Sequence, residues 1–391
     1  MTQGPLSGVR VVEVGSIGPG PWCAMMLSDM GAEVIRVDRA DAARRQTAQT
    51  PLPIDFVNRR GRHSVAVDLK NPQGAEVVLR LVEQADALIE GFRPGVAERL
   101  GIGPDECHAR NPRLVYGRMT GWGQDGPLAQ VPGHDINYIA LSGLLYTIGP
   151  ADGRPMPPLN LVGDFGGGGL MLAFGVVSGI LEARTSGRGQ VVDAAMVDGA
   201  ALLGSMVQGL RQVGAWNERR EANRHDGGAP FYNTYETADG KWVAIAANEP
   251  QFYKVMVEQL GWTPDDLPPQ MDEESWPRVK KLFAEKFRGK TRDEWVAEME
   301  GLETCLTPVL TLDEAREHQH NTARSAYVPH DGIMQSAPAP RFSRTPGRIQ
   351  GPAPRPGEHT HDVLTRWGFG NDEVGRLVDT GAVASLSVDE S

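Results

Sequence analysis

The sequence predicts an α/β fold in which helices cover a largely parallel sheet. Short runs rich in valine and isoleucine recur along the first half of the chain, helical stretches separate them, and glycine- or proline-containing turns lie between. At the start, VRVVEV at 9–14 predicts a strand, 21–32 a helix, and EVIRVD at 33–38 a second strand. These three elements form a βαβ unit.

The same alternation continues over the next 160 residues. Four further strands are predicted, SVAVDL at 64–69, ALIEGF at 87–92, LVYGRM at 114–119 and QVVDAAM at 190–196, with a helix at about 72–85. An apolar run near 170–181 is interrupted by Gly175 and Gly179. Because it is shorter than the roughly 20 residues that a bilayer requires, it predicts a buried helix.

The alternation ends near residue 204. The region 205–330 is rich in tryptophan, charge and proline and contains one clear strand, WVAIAA at 242–247, so it predicts a smaller α+β domain. The proline-rich stretch 337–360 predicts an extended crossing of the surface, followed by two short helices. We therefore expect a large domain over 1–204 and a segment over 331–391 that returns to it.

Composition and charge argue against several classes of function. The chain has 391 residues and a net charge of −11, which argues against nonspecific nucleic-acid or anionic-membrane binding. The opening residues lack a basic and then apolar leader, so a cytoplasmic protein is expected. Cys23, Cys107 and Cys305 are widely spaced, which predicts neither a disulfide framework nor a metal site.

The stretch NLVGDFGGGG at 160–169 places one acid among apolar residues and glycines. Loop acids are usually solvated and glycine runs are usually connectors. Here Leu161, Val162 and Phe165 would desolvate Asp164 and raise its pKa, and the four glycines would let backbone amides approach a ligand. The combination predicts a functional site.

Basic residues are concentrated early in this acidic chain: Arg36, Arg39, Arg44, Arg45, Arg59, Arg60, Arg62, Lys70 and Arg93. Cations at the carboxyl ends of strands in an open α/β sheet indicate a phosphorylated ligand, although each arginine alone is more typical of a solvated face. The turn GSIGPGP after the first strand is not G-x-G-x-x-G, so a nicotinamide dinucleotide is not predicted.

Two further motifs carry titratable groups. GHDINY places His134 and Asp135 at a helix start, where histidine, with an ordinary pKa of about 6.5, could act as a base and the aspartate could be a cap. Glu249 in NEPQFY lies between a strand and a helix, where the helix dipole alone favours an acid. Asn160 and Tyr235 are weaker candidates.

A set of long motifs in fixed order extends over nearly the whole chain: PLSGVRVVEVGSIGPGPWCAMMLSDMGAEVIRVDR, VAVDLKNPQG, EGFRPGVAERLGIGP, MTGWGQDGP, GHDINY, PPLNLVGDFGGGG, GQVVDAAMVDG, DGGAPFYNTY, NEPQFY and PAPRFSRT. Together they resemble the family III CoA transferases, and among these the α-methylacyl-CoA racemases. The resemblance implies a Rossmann-like large domain, a small domain and an interlocked homodimer.

The resemblance also implies binding of CoA, as part of a thioester substrate and with no metal or redox cofactor. The positions that match CoA contacts of the family are Arg39, Val67, Asp68, Leu69, Lys70, Arg93, Gly133, Asp135, Ile136, Asn137 and Tyr138. In the racemases, residues matching His134 and Asp164 face the substrate α-carbon from opposite sides. Glu249 matches a residue near the histidine and is expected to orient or tune it.

Proton removal beside a thioester creates an enolate, and amides near the glycine run are expected to stabilise its oxygen. Two alternatives stay open: a CoA transferase with Asp164 as nucleophile, and a CoA-ester carrier without turnover. One departure concerns the substrate, because the chain reads NRHDGGAP where racemases usually read NMLDGGAP. If Arg224 and His225 line the acyl channel, the acyl group is more polar or differently shaped than a branched fatty chain.

Overall fold

The computed structural model describes residues 4–45 and 56–386. The chain divides into two compact units. The first contains residues up to 142, 159–203 and those from 327 onward, and the second contains 143–158 and 204–326. The second unit thus includes residues 143–158, which the sequence-based boundaries assign to the large domain.

The elements of the first half of the chain are β1 (Arg10–Val14), α1 (Pro19–Asp29), β2 (Glu33–Arg39), α2 (Ala40–Arg45), β3 (Arg62–Val67), α3 (Pro72–Val82), β4 (Ala87–Glu90), α4 (Val96–Arg99), α5 (Pro104–Arg110), β5 (Val115–Thr120), α6 (Asp135–Leu141), the π-helical segment Leu161–Leu170, α7 (Met171–Ser186), β6 (Val191–Ala195) and α8 (Met196–Leu203).

The remaining elements are α9 (Ser205–Gln212), β7 (Tyr232–Glu236), β8 (Trp242–Ala246), α10 (Pro250–Gln259), α11 (Trp276–Phe287), α12 (Arg292–Glu298), β9 (Leu306–Val309), α13 (Leu312–Glu317), α14 (Gln319–Ala323), β10 (Tyr327–His330), β11 (Ile333–Ser336), α15 (Thr360–Arg366), α16 (Asn371–Asp379) and β12 (Val383–Ala384).

A seven-stranded sheet forms the centre of the first unit, in the order β12-β3-β2-β1-β4-β5-β6. The first six strands pair in parallel, which confirms the predicted parallel sheet, and β12 pairs with β3 in antiparallel orientation. The order 3-2-1-4-5-6 reverses between β1 and β4. In doubly wound sheets of this kind, ligands bind at the carboxyl ends of the strands beside the reversal.

Alternate residues of the strands supply two cores on opposite faces of this sheet. Val12 and Val14 of β1 point to the core beneath α3, α5, α15 and α16. Val11 points to the other core, beneath α1 and α7. Since both faces are covered, the strands are rich in valine and isoleucine even where a charged residue interrupts them, and this composition makes them predictable from sequence.

The helix predicted near 170–181 is longer and less buried than expected. The π-helical segment continues directly into α7, so that Leu161–Ser186 forms one helix of 26 residues, long and apolar enough by length and composition to cross a membrane. One face packs on the sheet through Leu172 and Val176, which are fully buried, whereas Phe174 is 71% exposed. The prediction of a buried helix is therefore wrong for the outer face.

Residues 337–359 contain no regular helix or strand, as their proline content predicts. This segment crosses the first unit, with Arg348 N–H donating to Asp29 O and Gly61 N–H donating to Gly351 O. The two predicted terminal helices are α15 and α16. Neither β12 nor the β10-β11 hairpin was predicted.

The second unit contains an antiparallel sheet in the order β7-β8-β9. Its core is aromatic, with Phe231, Phe283, Phe287 and Trp295 almost fully buried beside α10 to α12. The predicted strand at 242–247 is β8. The sequence showed no signal for β7 and β9, most of whose residues are partly buried or exposed.

Candidate active site

A cavity of about 380 Å³ opens at the carboxyl ends of β1, β4 and β5, beside the reversal of strand order. Its lining comes from the loops after these strands, from the start of α6 and from the π-helical segment: residues 16–19, 91–94, 119–122, 129, 131–134, 138, 164 and 196. His134 and Asp164, predicted from separate motifs, both line it. Arg93, Gly133 and Tyr138 line it as well.

Asp164 lies in the first turn of the π-helical segment and is partly buried. Burial raises the pKa of its carboxyl, and the negative charge of Asp135 adds to the rise, whereas a hydrogen bond from Asn160 and the charge of His134 act in the opposite direction. The net shift is upward. This is the predicted direction, although Leu161 is itself 55% exposed and contributes less shielding than expected.

The amide of Asn160 donates to Asp164 Oδ2 over 3.1 Å. Asn160, a weak candidate from sequence, therefore contacts the carboxyl of Asp164. Asp135 contacts the backbone of Asp164, because its Oδ1 accepts the Asp164 N–H at 2.7 Å. Asp135 is 6% exposed. It is not among the described residues that line the cavity.

His134 is the N-cap residue of α6, and its backbone N–H donates to Asn137 Oδ1 at 3.0 Å. This contact gives Asn137 a capping role. The extended backbone of His134 lets the imidazole project from the helix end, and the residue is exposed. Both titratable candidates therefore reach one cavity from different elements.

The turn after β1 forms part of the site, which the sequence did not reveal. Gly18 has φ 68° and ψ −120°, and a Cβ there would lie 3.5 Å from Asp164 Oδ2. The hydroxyl of Ser16 lies buried in the cavity wall and has no hydrogen-bond partner within residues 4–45 and 56–386. The signal in the sequence is the glycine- and proline-rich turn GSIGPGP between a strand and a helix, which does not match the dinucleotide motif.

The four glycines after Asp164 pack helices together and do not contact the cavity among the described residues. A Cβ on Gly167 would lie 2.7 Å from Ala200 N, and one on Gly169 would lie 2.7 Å from the Trp22 ring. The expectation that the run lies against a ligand is corrected by this packing. Its glycines allow α1 and α8 to approach the π-helical segment.

A second cavity of about 470 Å³ lies beside β2 and β3. Five of the positions matched to CoA contacts line it: Arg39, Val67, Asp68, Leu69 and Lys70. Phe92 lines both cavities. The Arg39 side chain is 79% exposed and pairs with Asp41 at 2.9 Å, and Lys70 is also exposed.

Much of the basic cluster is unavailable to a ligand. Glu13 is fully buried and pairs with both Arg36 and Arg62, and Arg60 pairs with Asp29 at 2.6 Å. These three arginines are each at most 3% exposed. For them the prediction of a phosphate-binding role is wrong, because the adjacent strands and α1 supply their partners.

The other candidates occupy different surroundings. Ile136 is 42% exposed. In the second unit, Glu249 is the exposed N-cap residue of α10, and the buried hydroxyl of Tyr235 donates to Pro230 O at 2.7 Å. Tyr235 is thus a core residue. Arg224 contacts the Met271 sulfur, and the His225 ring packs on Tyr232.

With this geometry defined, comparison with known proteins identifies the family. The family model for "CoA-transferase family III" matches residues 6–360. The chain belongs to CoA-transferase family III. The resemblance inferred from the motifs is therefore confirmed.

Two curated relatives of this family III chain carry the same name. The chain is 46% identical to alpha-methylacyl-CoA racemase of Mus musculus, covering 95% of this chain and 96% of the relative. It is 42% identical to alpha-methylacyl-CoA racemase of Homo sapiens, covering 99% of both. These names agree with the predicted activity.

A solved structure shares the fold. A CAIB/BAIF family protein from Brucella suis superposes with a TM-score of 0.79 over 93% of this chain and 100% of that one, at 24% identity. This likeness supports the mixed α/β architecture, with its mostly parallel central sheet and separate small antiparallel sheets.

Proposed function

We propose that this chain is a 2-methylacyl-CoA racemase that interconverts the R and S epimers by moving one proton at the α-carbon. The observation that carries the proposal is the convergence of His134 and Asp164 on one cavity, where Asp164 has a raised pKa. The names of the two racemase relatives support it.

The thioester would lie along both cavities. The nucleotide end of CoA fits the cavity beside β2 and β3, where Arg39 and Lys70 supply positive charge on an otherwise acidic protein. The pantetheine arm would pass Phe92, which lines both cavities, and Arg93. This route would place the acyl group beside His134 and Asp164.

In the reaction, one of these residues removes the α-proton and the other returns a proton to the opposite face. The residue that removes the proton must begin deprotonated, whereas the residue that returns a proton must begin protonated. The raised pKa of Asp164 makes its protonated form more accessible near neutral pH. The planar enolate between the two steps loses the stereochemistry, and the thioester remains intact.

Residues 4–45 and 56–386 contain no group of three or more His, Cys, Asp or Glu residues that could hold a metal. The proposed proton transfers use side chains of the protein alone. Glu249 is proposed to support His134, and the cytoplasmic location stays a prediction.

A homodimer is part of the proposal. The outer face of the helix Leu161–Ser186 exposes Phe174, Val177 and Leu181, which recur at helical spacing. Large exposed apolar side chains in such number favour a protein interface. The interlocked arrangement comes from the family resemblance.

The proposal is tested by incubating the enzyme with one pure epimer of a 2-methylacyl-CoA in deuterium oxide. Deuterium incorporation at the α-carbon together with loss of optical purity is expected. His134→Gln and Asp164→Asn should abolish epimerisation while binding of the CoA ester is largely retained. His361→Gln, at an exposed histidine on α15, is the matched control.

Two other results would contradict the racemase. Transfer of CoA to an added carboxylic acid, with a covalent thioester trapped on Asp164, would make the protein a transferase. Tight binding of the CoA ester with no α-proton exchange would make it a carrier.

A further inference from the structure

Asp135 makes a contact that neither helix capping nor CoA binding explains. It is the first residue of α6, it is 6% exposed, and its Oδ1 accepts the backbone N–H of Asp164 at 2.7 Å. The bond joins the motif that carries His134 to the motif that carries Asp164. It therefore fixes the peptide from which the Asp164 carboxyl projects.

The local backbone is shaped around this carboxylate. Gly163 is buried, and a Cβ on it would lie 2.4 Å from Asp135 Oδ1 and 2.9 Å from its Cγ. Any side chain at 163 would displace Asp135 or the peptide. The absence of a side chain at this position permits the direct contact.

The second oxygen of Asp135 takes no part in this contact. Asp135 Oδ2 is buried and has no hydrogen-bond partner among the described residues. Leaving a carboxylate oxygen unsatisfied in the interior is costly. An asparagine could accept the same N–H but would bury an unpartnered NH2 group in place of this oxygen, so the charge is the main chemical difference between the two residues here.

The negative charge of Asp135 lies beside Asp164, whose protonation state decides whether it can accept or donate the substrate proton. Among the described residues, the titratable groups that interact with Asp164 include His134, Tyr138 and Asp135, all at the start of α6. Burial and the charge of Asp135 raise the pKa of Asp164, and His134 lowers it. Burial raises the pKa of Tyr138, the charges of Asp164 and Asp135 add to the rise, and the charge of Arg93 lowers it.

We propose that Asp135 is a positioning residue for Asp164, holding its peptide in place and using a buried negative charge to keep a proton on the Asp164 carboxyl until it is donated. This inference rests on the proposed racemase function. It assigns the Asp135 side chain to proton transfer on one face of the substrate only, because its contact is with Asp164.

The test compares the two epimers separately in deuterium oxide with the variant Asp135→Asn. The epimer whose α-proton faces Asp164 should exchange at least roughly tenfold more slowly, and epimerisation should slow to the same degree. The epimer that faces His134 should still exchange, with retained configuration, because His134 can remove and return the proton alone. KM for both epimers should change little.

Asp164→Asn identifies which epimer faces Asp164, and Asp313→Asn, a 90% exposed aspartate in the second unit, is the matched control. Thermal unfolding shows whether each variant folds, and Asp135→Ser, smaller and neutral, replaces the asparagine variant if that one does not. Equal losses for both epimers, or full exchange of both, would overturn the assignment. Absence of exchange in the wild-type enzyme would instead contradict the racemase itself.

Discussion

The Asp164 carboxyl is controlled by neighbours with opposite effects. Burial and Asp135 favour its neutral form, whereas the Asn160 amide, at 3.1 Å, favours its ionised form. The sequence predicted the sign of the shift because apolar residues flank Asp164. It did not predict Asp135 as a neighbour, since that contact joins residues 29 positions apart.

Asn160→Ala should raise the pKa of Asp164 further, because the variant loses a hydrogen bond to the ionised carboxylate. A net hydrogen-bond contribution of about 1 kcal/mol corresponds to a rise of up to about one pH unit. The limb of the pH–rate profile that depends on Asp164 should therefore move to higher pH. The control is Asn371→Ala on α16, and an unchanged or lower limb would show that the amide does not tune Asp164.

At the scale of elements, close backbone contact sets the position of the π-helical segment. A Cβ on Gly199 of α8 would lie 1.8 Å from the carbonyl oxygen of Gly167. A rigid backbone atom cannot yield as a flexible side chain can. The crossing of α8 and the π-helical segment therefore requires glycine at 199.

Gly199→Ala should lower the free energy of unfolding by about 1–3 kcal/mol or more, because it overpacks the crossing. Urea denaturation measures the change. Gly375→Ala is the control, since Gly375 lies inside α16 with open space around it and alanine should stabilise that helix by about 0.5–1 kcal/mol. A Gly199 variant as stable as the wild type would show that the helices can separate at no cost.

Deeply buried elements were easier to predict from the sequence than partly buried ones. Strands covered on both faces, such as β1 and β2, were predicted because valine and isoleucine recur in them, although each strand also carries charged residues. The β10-β11 hairpin is only partly buried and includes Pro329, which weakens a strand pattern. The partners of Arg36 and Arg62 were missed because sequence shows residue types and not the strand register that pairs them with Glu13.

At the scale of the whole chain, this buried ion cluster joins three strands of the central sheet. Glu13 on β1 pairs with Arg36 on β2 and with Arg62 on β3. Arg36 also donates to Ser16 O at 3.4 Å, and Arg62 donates to Pro21 O. The cluster thus supports the turn that forms one wall of the candidate active site.

Glu13→Gln should lower the free energy of unfolding at pH 7 by about 3–5 kcal/mol, since two buried cations lose their shared anion. Although burial raises the pKa of Glu13, Arg36 and Arg62 lower it more, so its stabilisation is present above the ordinary value of 4.5 and is lost at lower pH. Denaturation at several pH values should show the gap between wild type and variant narrowing in acid. A constant gap would contradict this linkage.

The assembly gives the second prediction at this scale. If Phe174 lies in the interface of the proposed homodimer, Phe174→Glu should convert the dimer into monomers and reduce activity, because a charge would enter an apolar contact. Val378→Glu, at an exposed position on the opposite face of the sheet, should leave the dimer intact. Sedimentation equilibrium distinguishes the two, and a dimeric Phe174 variant would place the interface elsewhere.

The return of the chain to β3 has a consequence for biosynthesis. The Thr360 hydroxyl accepts the N–H of Ala66, 294 residues earlier, and donates to Ala384 O, while β12 completes the sheet beside β3. A ribosome therefore exposes the β3 edge long before its partner has been translated, and the whole second unit is made in between. Open strand edges promote aggregation, so we expect the β3 edge of the nascent chain to be prone to pairing with other chains until β12 has been made.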